Sequence, residues 1–105
     1  MKTKQEAIQE QIDEIMDTFD FERVHRVMVS EDWTWGSGNG ASVPDVTQLR
    51  IAARERLKSA ARDGLSSTGG FTATRDEGVD EGKPWVRLNL SFGLRTFNDG
   101  TEYDQ

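Results

Sequence analysis

The 105-residue chain has no cysteine, two prolines, one histidine and one tyrosine, and only 34% of its residues are hydrophobic. Each shortage removes a class of protein. Without cysteine there is no disulfide framework and no thiolate nucleophile, which fits a cytoplasmic setting, and with a single histidine a zinc centre is not expected. No apolar run reaches the roughly 18 residues that a transmembrane helix needs, so no membrane span is expected. The opening residues, MKTKQEAIQEQ, lack the apolar stretch of a secretory signal. The length suits one domain over residues 1–105, and with 30% charged residues its core has to be built from few, well-placed side chains.

What charge there is lies unevenly. The net of −6 divides into an acidic start, with two positive and seven negative residues over 1–22, and a basic stretch with five positive and two negative over 46–63. Residues 64–105 are acidic again, with four positive and seven negative. An acidic whole disfavours nucleic acid and anionic membranes, so neither is expected as a direct partner.

Apolar periodicity predicts three helices. Ile8, Ile12, Ile15 and Phe19 recur at helical spacing, giving a first helix over about 3–17. Asp20 is a suitable N-cap for a second over about 20–32, with Phe19 and Val24 placed as a hydrophobic staple. The third, over about 45–63, has the strongest signals. Asp45 and Gln48 have capping-box spacing, Val46, Leu49, Ala53, Leu57 and Ala60 form one stripe, and Gly64 followed by Leu65 reads as a closed C-terminus. The glycine-rich stretch 36–42 between the last two helices reads as a flexible loop.

After residue 70 the period falls to two. A short strand is predicted over 71–76 and a long one over 85–97, with Val86, Leu88, Leu90, Phe92 and Leu94 on one face. The intervening DEGVDEGKP reads as a mobile acidic connection, Asn98-Asp99-Gly100 as a turn signal, and 98–105 as an acidic tail. The expected fold is therefore α+β: three helices followed by a two-stranded antiparallel β-hairpin packed on them. Because the long strand outruns its partner, a homodimer through its free edge is one expected association.

Candidate chemistry is thin. His25 lies within the apolar stripe of the second helix with no residue spaced to orient it, which suits a hydrogen-bonded core histidine. Asp76, Glu77, Asp80 and Glu81 do not match a calcium-loop spacing, so no metal and no cofactor are expected. Arg50, Arg54, Lys58 and Arg62 recur at strict four-residue steps. Such like charges repel unless compensated, either by the acidic first helix or by an anionic ligand. Trp33 and Trp35 suit core-edge packing or stacking on a ligand ring. Thr68 and Gly69, in SSTGG, suit either a tight chain reversal or a backbone anion cradle. With no nucleophile, metal set or paired acid and base, an enzyme is not expected.

D-F-x-x-V-H-x-V-M at 20–28, W-x-W at 33–35, V-P at 43–44, L-R-x-A-A at 49–53 and T-G-G-F at 68–71 together resemble a group of small proteins encoded by bacteriophages and prophages. The resemblance covers roughly residues 19–75. It implies an accessory protein that binds and blocks a host protein or nucleoprotein complex, such as an anti-CRISPR inhibitor of host defence. It implies working by occlusion in the host cytoplasm. The surface for that role would be Asp76, Glu77, Asp80 and Glu81. The alternative is a small-ligand or nucleotide-binding module built from Arg50, Arg54, Lys58 and Arg62 with Trp33, Trp35, Thr68 and Gly69.

Overall fold

A computed structural model describes the backbone of residues 2–93 and 95–102, and the side chains of 2–93 and 96. Three helices, α1 (Lys4–Thr18), α2 (Phe21–Ser30) and α3 (Val46–Asp63), precede four strands, β1 (Leu65–Thr68), β2 (Phe71–Asp80), β3 (Lys83–Phe92) and β4 (Arg95–Glu102). The helix starts follow local chemistry. Thr3 and Asp20 accept the backbone N–H groups of Glu6 and Arg23, and Asp45 and Gln48 complete a reciprocal capping box.

The strands form one antiparallel sheet in the order β1-β2-β3-β4. Its helix-facing side carries Phe71, Ala73, Val86, Leu88, Leu90 and Phe92, all buried against the apolar stripes of the helices. The opposite side carries Thr72, Thr74, Asp76, Arg87, Asn89 and Ser91, none of them fully buried. This one-sided alternation is what an antiparallel sheet covered on a single face requires. Phe71 sits at the centre, with ring centroids 6.2 Å from Phe21, 6.3 Å from Phe19 and 4.8 Å from Phe92.

Four strands replace the expected two, for identifiable reasons. β1 is LSST, too short and polar to show a period, and its pairing is set by the turn that follows. Gly69 and Gly70, at φ of +64° and +89°, make the two-residue hairpin turn whose twist suits adjacent strands. The DEGVDEGKP segment is not a mobile connection. β2 and β3 stay in register out to Asp80 and Lys83, with Glu81 and Gly82 at positive φ forming a second turn of the same kind. The strand interior tolerates Gly78 because Trp85, directly opposite, covers it: a Cβ at Gly78 would lie 2.8 Å from the indole.

The expected strand over 85–97 ends at Phe92, where Gly93 (φ +57°) begins the passage to β4. Residues 98–100 belong to β4 and not to a turn or the start of a tail. Leu94 and residues 103–105 lie outside the described residues. β3 pairs with β2 on one side and β4 on the other, so the free edge behind the expected long-strand dimer is occupied. Leu65 does not close the end of α3 either. It is 62% exposed on β1.

Two polar groups tie helices to sheet. Gln11 is buried on the sheet-facing side of α1, where its Nε2 donates to the Val86 carbonyl at 2.8 Å. Its Oε1 accepts the Leu88 N–H at 2.7 Å. Arg75 donates from Nη1 to the Ala61 carbonyl at 2.6 Å, adding a cation where the helix dipole of α3 is negative.

Candidate functional site

The end of α2 delivers the W-x-W segment to the sheet. Asp32 adopts a left-handed conformation (φ +53°), its N–H bonding the Val29 carbonyl at 3.3 Å, while the Trp33 N–H bonds the Met28 carbonyl at 2.8 Å. This paired closure is the Schellman arrangement, with aspartate in the place glycine usually takes. Two residues later, Trp35 and Ser42 exchange backbone hydrogen bonds of 2.7 and 2.9 Å. That bridge closes the glycine-rich stretch into a compact loop containing a short 3-10 helix at Gly38–Gly40. It is therefore a tied loop.

Both tryptophans then meet the β1–β2 turn. The Trp35 indole Nε1 donates to the Gly69 carbonyl at 2.9 Å, and a Cβ on Gly69 would lie 3.0 Å from the ring. Trp33 stacks at a tilt on Phe92, 4.5 Å between centroids. A Cβ on Gly70 would lie 2.4 Å from Phe92 and 2.8 Å from Trp33. The glycines at 69 and 70 thus serve twice: they supply positive φ for the hairpin and let two indoles lie against the backbone.

Between these rings and α3 runs a groove of about 390 Å³, lined among others by Trp33, Trp35, Arg56, Thr68 and Gly69. Arg56 is its single cation, and no carboxylate lines it among the described residues. Arg56 Nη1 donates to Thr68 Oγ1 at 3.0 Å, and that hydroxyl donates onward to the Ser67 carbonyl at 2.6 Å. Arg56 Nε is buried with no hydrogen-bond acceptor. A buried, charged donor left unmet is unfavourable, and an anion in the groove offsets part of that cost through its charge.

The residues singled out in the sequence divide accordingly. Trp33, Trp35, Thr68 and Gly69 are brought together in the groove. Arg50, Arg54, Lys58 and Arg62 are not. Arg50 lies 5.2 Å over the Phe21 ring, Arg54 is half-buried, Lys58 is exposed, and Arg62 is an exposed neighbour of Asp63 at 4.0 Å. The arginine that reaches the groove is Arg56, outside the four-residue stripe. Its position was readable in principle, since it stands three residues after Ala53 and four before Ala60, on the flank of the buried face.

The acidic quartet is also split. Strand alternation puts Asp76 and Asp80 on the outer face of the sheet and Glu77 on the helix-facing side. Asp76 accepts from Asn89 Nδ2 at 3.2 Å. Glu77 is held by Lys4 at 2.9 Å, with Arg75 at 3.9 Å, and the hydrogen bond from Lys4 lowers its pKa from the ordinary 4.5. Glu81 occupies the β2–β3 turn. His25 is half-buried, its Nδ1 lying 3.0 Å from the Pro44 carbonyl, which only accepts, so Nδ1 carries the proton. Among the described residues no group of three histidine or carboxylate side chains is placed to hold a metal ion.

A larger cavity, about 760 Å³, lies between α2 and the β3–β4 turn, with Val24, Val27, Trp33 and Phe92 as its apolar wall and Arg23 and Glu31 at the rim. Its two rim charges are opposite and exposed, and no buried polar group facing it lacks a partner among the described residues. It therefore states no preference for a ligand. The smaller groove does. No family model, curated protein or solved structure matches the chain.

Proposed function

We propose that this protein is a binding module, not a catalyst, and that it takes a small anionic ligand in the groove between the W-x-W segment, α3 and the Thr68–Gly70 turn. The observation that carries this reading is Arg56. Among the described residues it is a cation whose Nε is buried without an acceptor, in a groove that holds two indoles and no carboxylate. Thr68 fixes the guanidinium at Nη1, so its positive charge already stands at the groove when an anion arrives. Titration with a panel of phosphates and aromatic carboxylates, followed by tryptophan fluorescence, tests the reading directly. Saturable changes that disappear in Arg56→Ala support it, and a flat response to every member of the panel would sink it.

A second reading keeps the blocking of a host protein or nucleoprotein complex. It rests on the β2–β3 tip, where Asp80 and Glu81 stand exposed next to Val79, itself 71% exposed. An apolar side chain flanked by carboxylates suits contact with a basic partner surface. Charge reversal at Asp80 and Glu81 should then weaken capture of that partner and reduce its salt dependence. Unaltered capture after both reversals removes this reading.

A further inference from the structure

The class of ligand follows from four properties of the same groove, and the inference rests on the binding reading above. The geometry points to a nucleoside monophosphate, bound with its base against the indoles and its single phosphate at Arg56 and the Gly69–Gly70 turn.

Size comes first. A groove of about 390 Å³ stands at the small end of ligand sites, which run from about 300 to 1,000 Å³. That accommodates one base, one sugar and one phosphate, and excludes a dinucleotide. Charge comes second. One arginine lines the groove, enough for one anionic group and short of the several cations or the metal that a triphosphate uses. The net charge of −6 also repels a long polyanion while leaving a single nucleotide able to approach.

The donor set separates phosphate from carboxylate. Gly69 and Gly70 both sit at positive φ, and no described residue accepts a hydrogen bond from either turn N–H. Consecutive turn amides beside a guanidinium suit the tetrahedral, more highly charged oxygens of a phosphate better than a planar carboxylate. The fourth property is what the groove lacks for reading a base. Among the described residues its lining holds no side-chain amide or carboxylate, the Thr68 hydroxyl is already engaged with Arg56 and Ser67, and the exposed Thr34 hydroxyl both donates and accepts and so does not tell one base from another. Recognition of the base is therefore by stacking, which every base provides.

Calorimetry and tryptophan fluorescence with AMP, UMP, ATP, adenosine and indole-3-acetate test this. AMP and UMP should bind within about threefold of each other, as sequence-tolerant stacking requires. Adenosine should bind at least about tenfold more weakly, for loss of charge-assisted hydrogen bonds. Arg56→Ala should reduce AMP to the level of adenosine, Arg56→Lys should not restore it, and Arg62→Ala, outside the groove, should change nothing. Circular dichroism on each variant separates loss of the ligand from loss of the fold, and Arg56→Ala that stays folded and binds AMP normally overturns the proposal. ATP binding more than about tenfold tighter than AMP overturns the single-phosphate assignment. Binding of indole-3-acetate with AMP silent overturns the nucleotide class and leaves the groove reading standing. Silence from all five ligands overturns both.

Discussion

Replacing Gln11 by methionine should cost about 2–4 kcal/mol of folding stability, as much as losing a large core side chain. Gln11 is 1% exposed and spans two backbone groups of β3, donating to the Val86 carbonyl and accepting from the Leu88 N–H. Methionine keeps nearly the same length and volume, so little cavity is created. What it removes is the amide that serves two buried backbone groups, and losing it costs about 1–3 kcal/mol for each. Burying the thioether in place of an amide recovers about 1–2 kcal/mol. Against a total stability of about 5–15 kcal/mol the remainder is large, and it lowers Tm by about 10–20 °C.

Thermal and denaturant unfolding measure that change, with Gln9→Met as the control. Gln9 makes its hydrogen bond to Asp13 at the exposed surface, so its loss should be close to neutral. Gln11→Glu adds a pH signature. A protonated glutamic acid reproduces the pattern, donating to Val86 and accepting from Leu88, whereas a buried carboxylate cannot donate. Burial raises the folded-state pKa above the unfolded value of about 4.3. The variant should therefore approach wild-type stability below about pH 4 and lose stability as pH rises from there toward the raised folded value. A Gln11→Met protein with unchanged Tm, or a Gln11→Glu protein that tracks wild type at every pH, refutes the bridging role.

Three further outcomes are expected. Asp32→Gly should stabilise the fold by about 0.5–1 kcal/mol, measured by denaturant midpoint, because glycine occupies the left-handed closure of α2 without a Cβ penalty. Gly70→Ala should destabilise it by about 2 kcal/mol or more, since the added carbon meets Phe92 and Trp33 and φ is +89°, and near-ultraviolet circular dichroism should show the indoles displaced. The Lys4–Glu77 pair, partly exposed, should contribute under about 1 kcal/mol in a double-mutant cycle at low salt. Because the Glu77 pKa is lowered, that contribution is present above its unfolded value and fades as pH falls through the folded one.

Helices α1 and α3 were legible because their signals are short-range. The Asp45–Gln48 box spans three residues, and the stripe Leu49, Ala53, Leu57 and Ala60 repeats every turn and is buried. Gln11 went unread, although it stands three residues after Ile8 and four before Ile15, because a polar side chain in an apolar stripe declares its partner only once β3 is in place. Ile51 stands two residues after Leu49, off the stripe, and is 60% exposed.

The sequence by itself determined the α+β class, the three helices, the apolar face of β3, and a composition with no cysteine and a single histidine. Those properties are local, set by spacing, capping and composition over a few residues. Only the tertiary structure decided that the sheet has four strands, since β1 and the charged half of β2 take their conformation from ladder partners and not from their own period. It alone also decided which arginine meets the tryptophans. Trp33, Trp35, Arg56 and the Thr68–Gly70 turn are distant in the chain, and they come together because the closure of α2, one flank of α3 and a glycine hairpin converge on Phe92 and its neighbours. The W-x-W segment and the two glycines are one packing unit, and no pattern within either stretch states that.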